Sequence, residues 1–203
     1  MGTLRKGEVT RGSILDTSLA LASQVGMAGL SIGELASRTG MSKSGLFAHF
    51  GSKESLQLQV LEEARQRFIA LVAVPALKKP RGAPRLQALF DLWLDWSQAD
   101  FSPGGCIFMA AASELDDRPG PLRDALVESQ REWLATLATA VRQGSAAGKL
   151  RRNLDPDQFA YEFYSITLAY HHFSRLLRDP AAETRARRAW RDLLTQARRP
   201  EPA

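Results

Sequence analysis

Apolar residues in this chain recur at spacings of three and four, and no Asn-Gly or Asp-Gly pair separates two alternating runs. That periodicity predicts an all-α protein. The first helix starts near Thr10, carries Leu15, Leu19 and Ala22 beside Ile14, Leu21 and Val25, and stops at Gly26. Three start signals then crowd into a short block. Ser31 and Glu34 have capping-box spacing with Leu30 and Leu35 as the apolar staple, and Gly40 ends the short helix they open. Ser42 caps the next one, stapled from Met41 to Leu46. Ser52 opens a longer helix through Leu56, Val60, Leu61, Ala64, Phe68 and Leu71, which ends at Pro75.

Residues 75–84 concentrate Pro, Gly and positive charge, the composition of a boundary between two parts of a chain. Longer helices follow it. Leu86, Leu89, Phe90, Trp93 and Ser97 mark one, Cys106 to Leu115 a second, and Leu122, Leu126, Trp133, Leu137 and Val141 a third. Asp155 is placed as a cap, with Pro156 at the first helical position and Gln158 closing the box. From there Phe159, Phe163, Ile166, Tyr170, Phe173 and Leu177 alternate four and three apart, the seam of a helix packed on another helix. Asp179-Pro180 starts the last helix, which puts Ala186, Ala189, Trp190, Leu193 and Ala197 on one face and arginines on the others.

With 44% hydrophobic and 24% charged residues over 203 positions, the chain is globular rather than fibrous or largely disordered. Its net charge of +5 permits a nucleic-acid partner without requiring one. The distribution is more informative. Residues 1–53 hold six Lys and Arg against three acids, residues 183–203 hold the same balance, and the long middle is close to neutral. Cys106 is the single cysteine, so neither an intrachain disulfide nor a Cys-rich zinc site can form. That fits a reducing compartment. No signal-peptide apolar region or membrane-length apolar run is apparent, so a soluble, cytoplasmic protein without a membrane partner is expected.

Two short helices joined by a Gly turn over 31–50 have the layout of a helix-turn-helix, whose second member can enter the major groove of DNA. Ser42, Lys43, Ser44 and Gly45 open that second helix. The small residues allow close approach, and Lys43 can reach a base edge or a phosphate. Unpaired backbone N–H groups at the helix starts favour phosphate, and Lys53 lies in the first turn of one of them. Phe47 and Phe50 divide between the DNA side and the small core. A helical hairpin with no nucleic-acid role has the same capping pattern and stays open at this level.

Thr10-Arg11, Ile14-Leu15, Gly29-Leu30-Ser31, Ile32, Leu35-Ala36, Gly40 to Phe47, His49-Phe50 and Ser52-Lys53-Glu54 resemble, in order and without gaps, the DNA-binding domain of the TetR family of bacterial transcriptional regulators. The resemblance covers about a quarter of the chain. It implies three N-terminal helices for DNA over residues 1–53, then a linking helix and a larger C-terminal ligand-binding and dimerisation domain over 54–203. It implies further that Ser42 to His49 is the recognition helix, with Ser42, Lys43, Ser44 and Gly45 nearest the bases and Ser31, Arg38, His49 and Lys53 facing phosphates. Phe47 departs from the family's common Tyr, so a contact there is apolar, for example with a thymine methyl. The family's use of its last two long helices places a homodimer contact on Phe159, Phe163, Ile166, Tyr170, Phe173 and Leu177 with Trp190 of the final helix.

Other patterns carry less. Gly144 to Leu150 mimics a phosphate loop but has one residue too few between its glycines, and reads as a helix end and turn. Adjacent His171 and His172 point about 100° apart on a helix and cannot chelate one metal. Glu114, Asp116 and Asp117 read as a solvated helix end. Cys106 reads as a small buried hydrophobe. No catalytic set is identifiable, and neither cofactor nor metal is implied. The aromatic surplus of the second half exceeds a minimal core, and Trp93, Phe108, Met109, Trp133 and Tyr164 are the candidates to line a ligand pocket. The expectation is a homodimeric regulator, a repressor released from a palindromic double-stranded operator by a small, largely apolar effector. The alternative is a cytosolic helical small-molecule binder or enzyme that never touches DNA.

Overall fold

The computed structural model describes residues 6–198, with side chains from Arg11 onward. Arg5, Lys6 and Arg199, which contribute to the two basic ends, therefore lie outside the described side chains, as does Thr10 at the expected helix start. The described residues form helices joined by turns: α1 (Lys6–Gly29), α2 (Ile32–Thr39), α3 (Lys43–Phe50), α4 (Lys53–Phe68), a π-helical segment (Ile69–Ala73), α5 (Val74–Leu77), α6 (Ala83–Ser97), α7 (Ile107–Leu115), α8 (Pro121–Ala146), α9 (Pro156–Arg175) and α10 (Ala182–Ala197). Among the described residues the only β-type pairing is one isolated bridge between Leu150 and Arg198. No described helix is long and apolar enough to cross a membrane.

The start signals act locally. Ser31 Oγ accepts the Glu34 N–H at 3.2 Å, Ser42 Oγ the Gly45 N–H at 3.1 Å, and Ser52 Oγ the Ser55 N–H at 3.0 Å. Asp155 accepts from both Asp157 and Gln158. The second half of each expected capping box goes elsewhere, because a partner one turn ahead competes: Glu34 takes the Arg38 guanidinium and Gln158 donates to Glu162. Gly26 does interrupt α1, at φ 78° and ψ 170°. Pro75 does not end the fourth helix. The ladder widens just before it, Val74 N–H reaching back to Ile69, and helix continues to Leu77. A π-turn makes room for a proline ring that would otherwise strike the carbonyl four residues back. The last helix begins at Ala182, later than Asp179-Pro180, because Asp179 turns its carboxylate onto the Ala181 N–H and Arg185.

Two compact units result. The first comprises the chain up to Arg67 together with Gln98–Val127. Its core takes Ile14, Leu19, Leu35, Leu46, Phe50 and Leu56, and α7 packs along α1. Gly104 lies against the α1 backbone at Ser23 and donates its N–H to Ser23 Oγ at 2.9 Å. The second unit, Phe68–Ser97 with residues 128 onward, is built on aromatic rings. Trp190 stacks on Phe90 with centroids 4.9 Å apart, meets Phe163 edge-on at 5.3 Å, and donates its indole N–H to Gln87. Such ring pairs add to the burial of their area. Arg187 bridges Asp91 and Glu183, and Arg185 pairs with Asp179, so part of the basic C-terminal face is neutralised within the unit.

Candidate nucleic-acid interface

The helix-turn-helix is formed by α2, a turn at Gly40 in the left-handed conformation (φ 66°), and α3. A left-handed residue is what ends α2 sharply enough for Ser42 to cap α3 two residues later. Leu35 and Ala36 of α2 and Leu46 and Phe50 of α3 are buried, which fixes which face of each helix points inward. The opposite face of α3 presents exposed Ser42, Lys43, Ser44 and Phe47, with Gly45 and His49 half-buried. Phe47 is 56% exposed while Phe50 is 4% exposed, so only one of the two rings belongs to the core. Phe47 thus stands on the solvent side of α3.

Lys43 lies back across the start of α2. Its Nζ and Ser31 Oγ each come within 3.9 Å of the point where a Cβ on Gly33 would stand. Two helix starts, a hydroxyl and an ammonium thus converge over one bare backbone position. Gly33 was not singled out by sequence pattern; its signal is only visible once Lys43 is folded over it. Arg38 is exposed and shares its guanidinium with Glu34 at 3.2 Å, leaving further N–H groups for solvent or phosphate. Lys53 is exposed too, and one of its N–H groups is spent on the Ala28 carbonyl at 2.6 Å.

The remaining candidates fall apart into groups. Trp93, Trp133 and Tyr164 belong to the second unit and Phe108 and Met109 to the first, so neither unit alone holds all five. Trp93, Phe108, Met109 and Trp133 are buried and Tyr164 half-buried. Tyr164 lines a groove of about 370 Å³ with Leu134, Ala160 and Tyr161, flanked by Arg131 and Asp157. Trp133 packs edge-on against Phe68 at 4.8 Å and Phe163 at 5.9 Å, and its buried indole N–H has no acceptor among the described residues.

The α9 seam divides. Phe159, Phe163, Tyr170 and Trp190 point into the chain's own core, whereas Ile166 is half-buried and Phe173 and Leu177 are exposed. Ile166, Ala169 and Phe173 of α9 line an open apolar groove of about 320 Å³ with Ala186 and Ala189 of α10. Burial, with Arg175 and His172 adding to it, holds the His171 imidazole below the ordinary histidine range. No group of three or more His, Cys, Asp or Glu among the described residues is placed to hold a metal.

Known proteins fit this geometry. Residues 14–60 match the family described as bacterial regulatory proteins, tetR family, and residues 82–190 match the tetracyclin repressor-like C-terminal domain. The chain is 26% identical over 138 residues to the HTH-type transcriptional repressor DhaR of Mycobacterium sp. (strain GP1), covering 66% of this chain and 67% of that protein. A TetR transcriptional regulator from Chloroflexus aurantiacus superposes with a TM-score of 0.85 and 29% identity over 96% of this chain and 99% of its own. AibR, solved with isovaleryl coenzyme A and operator DNA, has the same fold at a TM-score of 0.72 and 21% identity, over 94% of this chain and 98% of its own.

Proposed function

Because the chain belongs to the TetR family of bacterial regulators, we propose that it is a repressor whose α3 reads a palindromic operator as one half of a homodimer. The family's members are DNA-binding transcriptional regulators and not enzymes, and this chain is one of them. The observation that carries the finer reading is the convergence of Lys43 Nζ and Ser31 Oγ over Gly33, beside the exposed start of α3. Residues 1–53 form the DNA-binding part, with Ser42 to Gly45 at base edges, Phe47 on an apolar base group, and Ser31, Arg38, His49 and Lys53 toward phosphates. Residues 54–203 form the effector-binding and dimerisation part.

Two recognition helices presented about 34 Å apart, one turn of DNA, would match a two-fold symmetric site. The partner contact uses Ile166 and Phe173 of α9 and Leu177 just past its end, rather than the seam residues already consumed inside the chain. The effector is a small molecule with an apolar body and at least one acceptor oxygen. An indole N–H left buried without an acceptor costs roughly 1–3 kcal/mol, and a ligand supplying an acceptor to Trp133 removes that cost in the bound state alone. That differential is what lets a ligand shift one conformation against another.

Lys43→Ala tests the reading directly. On a duplex that the protein itself selects from a random-sequence library, the substitution is expected to cost about 1–3 kcal/mol and to relax preference at one or two positions of each half-site. Repeating the selection with the variant checks this. An unchanged selected sequence and unchanged affinity would remove Lys43 from the interface and α3 from the groove.

A further inference from the structure

We infer that Glu114 is a positioning residue for DNA recognition, a carboxylate latch that α7 closes on the junction between α1 and α2. The inference rests on α3 being the recognition helix. Glu114 Oε2 accepts the Ala28 N–H at 2.8 Å, while Lys53 of α4 donates to the Ala28 carbonyl and Gln57 donates to the Met27 carbonyl. Both polar groups of Ala28 are therefore held by side chains of opposite charge, from two different helices. All of these residues lie in the first compact unit.

The junction is built around that carboxylate. Gly26 adopts φ 78° and ψ 170°, a region open essentially only to glycine. A Cβ at Gly26 would stand 1.9 Å from Glu114 Oε1 and 2.6 Å from its Cδ, so the space a side chain would fill is occupied by the latch. Only Leu30 and Ser31 separate Gly29 from the first residue of α2. With so short a connection, the place of residues 26–29 sets where Ser31 caps α2, and the Gly40 turn then carries α3 along. The sequence pattern around Asp116 and Asp117 marks Glu114 as part of a solvated helix end; its half-buried contact with a residue 86 positions away is what reassigns it.

A misplaced recognition helix loses base-edge contacts, which need fixed geometry, before it loses phosphate attraction, which does not. The latch therefore acts on specific binding alone. The test measures, by fluorescence anisotropy well below each variant's melting temperature, the affinity of the full chain for its library-selected duplex and for a random duplex of equal length. Glu114→Ala is expected to weaken the selected duplex about tenfold or more, as loss of a hydrogen bond to a charged group does, with the random duplex and its salt dependence unchanged. Glu114→Gln, whose amide oxygen accepts the same N–H, recovers most of the loss. If Glu114→Ala does not fold, Glu114→Asp, one methylene too short to reach Ala28, gives the same comparison. Wild-type affinity for the selected duplex, or an equal loss on both duplexes, in whichever of these two variants folds overturns the inference, as does failure of Glu114→Gln to rescue.

Discussion

Gly104→Ala is expected to destabilise the first compact unit by about 3 kcal/mol, the upper end of the usual overpacking range, and with it to abolish DNA binding. The new Cβ would stand 1.6 Å from the Ser23 carbonyl oxygen and 2.0 Å from the carbonyl carbon. These atoms belong to the backbone of α1, so no rotamer change relieves the overlap. Either the loop carrying buried Ser102 and Cys106 retreats or α1 bends, and each course breaks the Gly104 hydrogen bond to Ser23. The four tryptophans, at 93, 96, 133 and 190, all fall in the second unit, which makes the experiment selective. In a denaturant titration, helicity by circular dichroism should begin to fall before tryptophan fluorescence changes. Gly12→Ala is the control, since nothing lies within 4 Å of its would-be Cβ and alanine favours helix. Coincident transitions at the wild-type midpoint for Gly104→Ala would contradict the packing described.

Placing aspartate at both Phe173 and Leu177 is expected to convert the proposed dimer to monomer and weaken operator binding about 10²- to 10⁴-fold. That range is what linking two half-site contacts contributes without any new contact. These two side chains are 40% and 53% exposed in the isolated chain, beside Leu168 at 47% and Leu176 at 70%. Exposed apolar side chains on α9 and just past its end are the surface that the proposed dimer would cover. Charge there stays hydrated in the monomer and is opposed by the interface, which would desolvate two carboxylates. The same charge at Tyr170 would instead break the edge-on contact with Trp93 inside the chain. Sedimentation velocity reads the oligomeric state, and a duplex with a single half-site should bind wild type and variant alike. A dimer that survives both substitutions would move the interface away from Phe173 and Leu177.

How much of this could be read from the chain depends on how far each signal reaches. Ser31, Ser42, Ser52 and Asp155 were legible as caps because each bonds a backbone N–H two or three residues on, and Gly40 because a left-handed turn is local. The helix after Ser52 ran past Pro75 because a π-turn, which has no sequence signature, absorbed the ring. The heptad-like run on α9 was legible as a seam but not as a seam with what: period alone cannot separate a partner subunit from the chain's own α10 and α6, and Phe159, Phe163 and Tyr170 went inward. Glu114 and Lys53 were illegible as junction contacts for the same reason, their partners being 86 and 25 residues distant. Charge totals do not show pairing, and at the C-terminus Arg185 and Arg187 are matched by Asp179, Asp91 and Glu183.

The central claim is that α3 reads base sequence in duplex DNA, and a competition titration tests it most directly. Full-length protein is bound to its library-selected duplex at physiological salt and displaced by either that duplex or a base-shuffled one of identical length and charge. Specific regulators bind their sites typically 10³- to 10⁷-fold tighter than other DNA, so the selected competitor should displace at about a thousandth of the shuffled concentration or less. Equal displacement by the two duplexes would leave only phosphate attraction and contradict the claim.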